Sequence, residues 1–283
     1  MLIYKEESPR KIKATLTSGE AKSIYYHDIF DYPLTYSELI KWEASDLTDK
    51  PLKEYVVEAK NGFFFKKGRS QIIYKRLIRT RISKRKLYLA RRAAKVLALI
   101  KSVRMVGLTG SLAMQNAGDD SDIDLMIITS KNNLWITRPI SYALLKIFGF
   151  AIRKPNSKDE KDKLCLNIWL DEKNLVWDKK NRYTAHEIAQ VVPLYEIHNT
   201  YAKFINANKW VKNYWPNSIK VSKQKMFLQA SKNTLADRLL ARLNEVFFKI
   251  QLKYMGNKIS NETVAIDKAL FHPVDWSKVV LKI

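Results

Sequence analysis

Apolar positions fall near helical spacing from Gly19 to Phe30, and Asp31-Tyr32-Pro33 closes that segment, because proline disfavours helix at the residue before it. Thr35 followed three residues later by Glu38 has the form of a capping box, which predicts a helix over 36–44. Pro51 suits the first turn of a further helix over 51–59, ended by Asn61-Gly62. Phe63-Phe64-Phe65, the turn Lys66-Lys67-Gly68-Arg69 and the run Gln71 to Tyr74 predict a β-hairpin. From 75 to 100 an apolar stripe that includes Leu87, Ala90, Ala94 and Leu97 predicts one long helix. Dense apolar runs then predict strands at Val103 to Leu108, Ile123 to Thr129, Leu164 to Leu170 and Leu175 to Trp177, with a helix at Trp135 to Phe148. Beyond 183 the pattern is helical, clearest at Ala185 to Trp210 (interrupted near Pro193) and Leu235 to Tyr254, with a break at Asn257 to Asn261. No segment repeats.

Three small helices followed by a hairpin is the order of a winged helix. The chain therefore reads as α+β in four parts: a winged-helix-like module (1–74), a basic connecting helix (75–102), a mixed-sheet core (103–182) and a helical C-terminal region (183–283). At 283 residues, 46% apolar and with only 8 Gly and 8 Pro, the composition is globular and excludes a low-complexity chain. The formal net charge of +23 biases the surface toward phosphate-rich partners. Between Glu58 and Asp119 there is no acidic residue but 16 Lys and Arg. Like charges at helical spacing repel, so Lys84, Arg85, Lys86, Arg91 and Arg92 are candidate nucleic-acid contacts. A lone cysteine, Cys165, excludes an intrachain disulfide and a multi-cysteine zinc site and fits a reducing compartment. The longest apolar run, Ile140 to Ile152, is short of the ~20 residues of a membrane span and contains Lys146. A soluble, cytoplasmic protein with no membrane partner is expected.

The chemistry concentrates in Val106-Gly107-Leu108-Thr109-Gly110-Ser111, then ten residues, then Asp122-Ile123-Asp124-Leu125-Met126. Side chains alternate along a strand, so Asp122 and Asp124 share a face. Two adjacent carboxylates repel, and oxygen-only ligation selects a hard cation such as Mg²⁺ or Mn²⁺. Gly110 permits close backbone approach, while Ser111 adds a hydroxyl donor at a helix start that suits an anionic phosphate. A P-loop needs Lys after its last glycine and finds Ser111-Leu112. An EF-hand starting at Asp120 would place Leu125 at its glycine position, and a dinucleotide fingerprint would place Met105 at its first glycine.

Gly110-Ser111 at this distance from Asp122-x-Asp124 inside an apolar strand resembles the signature of the DNA polymerase beta-like nucleotidyltransferase superfamily. That group includes minimal nucleotidyltransferases, the kanamycin nucleotidyltransferase type and CCA-adding enzymes. The motif covers about 25 residues, and the order of the remaining segments is similar to that of uncharacterised bacterial nucleotidyltransferase-domain proteins. The resemblance implies a nucleotidyltransferase core and transfer of a nucleoside monophosphate from an NTP, ATP being expected, to an acceptor by two-metal displacement. It implies that Thr109, Gly110 and Ser111 hold the triphosphate and that Asp122 and Asp124 hold the metals.

One departure concerns the third carboxylate that such proteins carry on a neighbouring strand. If Leu166, Ile168 and Leu170 face the core, then Asn167, Trp169 and Asp171 share the other face. Asn167 stands where the acid is expected and can ligate but not act as a base; Asp171 is ionisable but lies further along. Arg138, just inside a helix, is a further phosphate candidate. The four histidines, His27, His186, His198 and His272, show no metal-ligand spacing. The acceptor is open: RNA, DNA, an acidic protein or a small molecule. The alternative is a nucleic-acid-binding regulator with a catalytically degenerate core.

Overall fold

The computed structural model describes residues 16–45, 55–154, 159–221, 234–256 and 263–271. Two capping boxes organise the N-terminal part. Helix α1 (Ser18–Asp28) opens where the Thr17 hydroxyl accepts from the Glu20 N–H and the Glu20 carboxylate accepts from the Thr17 N–H. Thr35 and Glu38 repeat this exchange at α2 (Tyr36–Lys41), as their spacing predicts, although the helix stops before residue 44. Strand β1 (Leu34–Thr35) precedes α2, and β2 (Val57–Lys60) pairs antiparallel with β3 (Phe63–Lys66) in the order β1-β3-β2.

Two expectations are corrected here. Val57 to Lys60 is extended, not the end of a helix over 51–59; residues 46–54 lie outside the described ones. The hairpin also lies one strand earlier than expected. Its turn is Asn61-Gly62, both with positive φ (52° and 76°), which is the backbone a tight two-residue hairpin turn requires. Gln71 to Tyr74 instead begins α3 (Gln71–Leu97), because Ile72 and Ile73 turn inward against Phe65.

Helix α3 links this module to the core, and basic residues just before it and along it pair with acids of both. Arg69 meets Asp28 (3.0 Å) and Asp31 (2.5 Å), and Arg76 meets Glu38 (2.7 Å). Arg85 bonds Asp119 and Asp162. Lys86 is fully buried and donates to Asp119 O, Ser121 O and Asp162 Oδ1 at 2.7–3.0 Å. Arg85 and Lys86, expected to contact nucleic acid, are thus internal ties, and Lys86 cannot reach a phosphate. Lys84, Arg91 and Arg92 remain exposed.

The core is a six-stranded mixed sheet built from β4 (Val103–Leu108), β5 (Ile123–Thr129), β6 (Leu164–Asp171), β7 (Val192–Glu196), β8 (Thr263–Ala265) and β9 (Lys268–Leu270). Their order is β7-β4-β5-β6-β9-β8. Only β5 and β6 run parallel, joined across α5 (Leu134–Ile147), and both are buried on two faces, hence their unbroken apolar runs. Three strands come from beyond residue 182, so the C-terminal region is mixed rather than helical: α6 (Arg182–Ala189), α7 (Thr200–Ala207) and α8 (Leu235–Met255) accompany them. Pro193 breaks the expected helix because it sits on the edge strand β7, where a missing N–H is tolerated. Leu175 to Trp177 is loop, not strand, with Leu175 and Trp177 buried and Val176 exposed.

Residues from α3 and α5 join Val106, Ile123, Leu125, Ile127, Leu166 and Trp169 in a core on one face of the sheet. On the other, Met105, Met126, Ile128, Ile168 and Leu170 share a core with Tyr26 and Trp42 of the N-terminal module, Ile188 of α6 and Phe204 of α7. A bulge in β6 changes the expected alternation. Asp124 pairs with Cys165 but Met126 with Ile168, so β6 spends one extra residue. Cys165, Asn167 and Ile168 therefore lie on the module's face, and Trp169 on the opposite one. Among the described residues no helix is long and apolar enough to cross a membrane.

Candidate functional site

Strand β4 delivers the chain to Thr109 and then to the four-residue helix α4 (Gly110–Ala113). Gly110 has φ of +62°, and a Cβ there would overlap Asp124 Oδ2 and stand 3.1 Å from Asp124 Cγ. Glycine is thus required twice, for the sign of φ and for the approach of Asp124. Because α4 is a single turn, what it offers an anion is the orphan N–H groups of a helix start together with the exposed Ser111 hydroxyl, not a summed dipole.

Asp122 immediately precedes β5 and Asp124 is its second residue. Asp122 Oδ2 accepts from Arg153 Nη1 at 2.8 Å, and Arg153 also pairs with Glu160. Asp124 Oδ1 accepts from Asn167 Nδ2 at 2.7 Å. One ligand atom from each of Asp122, Asp124 and Cys165 lies within 4.8 Å of the others. Two buried acceptors beside them, Thr109 Oγ1 and Asn167 Oδ1, have no hydrogen-bond partner among the described residues.

These groups open onto a cavity of about 450 Å³. Thr109, Gly110, Ser111, Asp122, Asp124 and Asn167 line it, and so do His27, Phe30 and Tyr32 from the N-terminal module. From α6 come His186 and Glu187, with Gln190 beyond it. The module is thereby a wall of the cavity. His27 Nδ1 donates to Ser23 O (2.8 Å), leaving its Nε2 to accept from His186 Nε2 at 3.3 Å. Burial holds both rings neutral, with His27 lowered to about 4.

Burial, and after it the charge of Asp122, pushes the Asp124 carboxyl up to about 7. Glu187 rises to about 8, first through burial and then through the charge of Asp124. Such a group keeps its proton in the folded chain up to about pH 8 but loses it near 4.5 when unfolded, so its contribution to stability declines as pH rises across that window. Glu187→Gln is expected to remove that decline. The gap between variant and wild type should widen from pH 5 to pH 8 by a few kcal/mol, at about 1.4 kcal/mol per pH unit. Urea midpoints at the two pH values check this, and reading the difference between the two chains cancels the opposite-signed contribution of the histidines.

Two expected residues are not brought to the cavity. Asp171 sits at the far end of β6, opposite Thr129, where its carboxylate accepts from the Asn132 and Lys173 N–H groups and closes a turn. Arg138 of α5 is half-buried on the other face, bonded to Gln251 and 4.5 Å from the Phe271 ring. The aromatic residues near 210–215 serve packing: Trp215 is buried against Tyr26 and Trp42. Conversely, Arg153, Glu187 and the pair His27–His186 escape a reading of the sequence, because long-range packing alone assembles them. No protein-family model matches this sequence, and no curated protein matches it either.

Proposed function

We propose that the cavity is a nucleotidyl-transfer site, in which an acceptor hydroxyl attacks the α-phosphorus of an NTP and pyrophosphate leaves. The observation that carries this reading is the convergence of Asp122 and Asp124 on the Gly110-Ser111 turn at the mouth of one cavity. The carboxylate pair and the unpartnered Asn167 Oδ1 are hard oxygen donors and fit a divalent cation such as Mg²⁺ or Mn²⁺. Bound there, such an ion supplies neutralisation of the phosphates and of the departing pyrophosphate. The chain's own groups do the rest. Ser111 and the first N–H groups of α4 seat the triphosphate, and Thr109 Oγ1 offers a further polar contact. The N-terminal module's His27, Phe30 and Tyr32 limit what acceptor fits and exclude water. Asn167 cannot accept the acceptor's proton, and Glu187 is the remaining carboxyl of the cavity wall.

A cytoplasmic setting and ATP as donor belong to the same reading. So does an acceptor of nucleic acid or acidic protein guided by the exposed Lys84, Arg91 and Arg92. One observation favours a second reading, a nucleic-acid-binding regulator with a degenerate core: Asn167 replaces an acid, and each aspartate already has an internal partner.

Incubation of the full chain with α-labelled ATP, Mg²⁺ or Mn²⁺ and total RNA or cell lysate separates the two. Transfer predicts label on an RNA, a protein or a small molecule, lost with a chelator. No label under any condition, together with duplex binding that weakens steeply with salt and falls in an Arg91→Ala/Arg92→Ala double variant, overturns transfer in favour of the regulator.

A further inference from the structure

Cys165 is not a bystander to the carboxylate pair. It faces Asp124 directly in the β5–β6 register, and it lines the same cavity as Asn167, two residues on. Its Sγ belongs to the group whose ligand atoms all lie within 4.8 Å of one another, close enough for one ion with bonds of roughly 2.0–2.3 Å to draw them together by a small inward shift of the side chains. An independent observation points to a ligand at the same place. Thr109 Oγ1 and Asn167 Oδ1, on residues only 2% and 7% exposed, line the same cavity and have no partner among the described residues. A buried polar atom left unpaired costs roughly 1–3 kcal/mol, a cost that a bound ion with its waters relieves.

Burial, and after it the charges of Asp124 and Asp122, hold the Cys165 thiol well above its usual range, so it is a bound cation that must displace the thiol proton. With a thiolate at Cys165, the cluster of Asp122, Asp124 and the Glu160 that Arg153 also meets carries four negative charges, of which a divalent ion and the guanidinium of Arg153 neutralise three. Arg153 is placed for this, 2.8 Å from Asp122 Oδ2 and 3.9 Å from Cys165 Sγ.

We propose that Cys165 is a third ligand beside Asp122 and Asp124, and that the site therefore prefers a thiophilic divalent ion of the zinc type to Mg²⁺. Sulfur ligation favours zinc and its neighbours in the first transition row, whereas magnesium takes oxygen. On binding, the sulfur–metal bond forms as the S–H bond breaks and the proton passes to solvent; no electron is transferred. The inference rests on the carboxylate pair of the transfer reading and changes the ion expected there.

The test is a Co²⁺ titration of the chelator-stripped full chain, followed by ultraviolet and visible absorption. The wild type is expected to show a thiolate-to-cobalt charge-transfer band that Zn²⁺ abolishes and a hundredfold excess of Mg²⁺ leaves in place. Cys165→Ser is expected to lose the band and to weaken Zn²⁺ binding by more than the roughly 10–100-fold typical of losing an outer-shell partner. Circular dichroism of Cys165→Ser and Cys165→Ala confirms that folding is retained. No band in the wild type, an unchanged band in Cys165→Ser, or displacement by equimolar Mg²⁺ overturns the proposal. The band without label transfer sinks the transfer reading alone; label transfer with Mg²⁺ but without the band sinks the thiolate alone.

Discussion

Asp124→Asn is expected to abolish label transfer and, at the same time, to raise the stability of the unliganded protein at pH 8. The two effects share one cause. Asp124 is half-buried in the cavity wall beside Asp122, and desolvation followed by that charge lifts its carboxyl from 3.8 to about 7. The folded chain therefore retains a proton that the unfolded chain gives up, and above pH 7 folding must accommodate a carboxylate the site disfavours. Asparagine is isosteric and removes that charge. The gain should be absent near pH 4, open between pH 4 and 7, and reach on the order of 2–4 kcal/mol at pH 8. Function moves the other way, because an amide cannot replace a carboxylate that holds a cation against a triphosphate, and a loss of about 10³-fold or more is expected. Paired urea melts at pH 4 and 8 with the labelling assay measure both. Had Asp124 only a structural role, the same stability gain would appear with label transfer left intact. A site group that is costly to the fold and needed by the chemistry is a common form of the stability–activity trade-off.

How far the sequence discloses this arrangement depends on how local the determining interactions are. The Thr35–Glu38 cap is decided within four residues, and the structure has it as expected. Gly110, Ser111, Asp122 and Asp124 fall on one β-turn-helix and the following strand, so their convergence is visible from spacing alone. The β6 bulge is not: alternation predicts Trp169 on Asn167's face, and only the pairing of β6 with β5 shows the additional residue. Strands β7, β8 and β9 are three to five residues long and gain their identity from the sheet edges they extend. Glu187 and the two histidines carry no signal in their own helices, because tertiary packing alone brings them to the cavity. Asn61-Gly62 is a different kind of miss. The dipeptide is a strong hairpin signal, and reading it as a helix end displaced both the hairpin and the start of α3.

The basic helix shows the same lesson in its electrostatics, and it carries the second large effect. Lys86→Met is expected to cost about 3 kcal/mol of stability, near the lower end of the 3–5 kcal/mol seen when one partner of a buried ion pair is removed. Lys86 is fully buried, and its three donors meet Asp119 O at 3.0 Å, Ser121 O at 2.7 Å and Asp162 Oδ1 at 2.8 Å. Methionine keeps the volume but leaves two carbonyls and a carboxylate without that donor. The loss stays at the low end because Arg85 still reaches Asp162. Arg85→Ala is the contrast: its side chain is half exposed, and an exposed ion pair contributes about 0–1 kcal/mol. Urea midpoints at unchanged m-value distinguish the two variants. The Lys86 bonds also fix the 119–121 turn that leads into Asp122, so the same substitution should weaken divalent-ion binding even where the protein remains folded. A fall in stability equal for Lys86→Met and Arg85→Ala would mean that the buried amine does not carry this anchoring and that both residues belong to the solvated basic face.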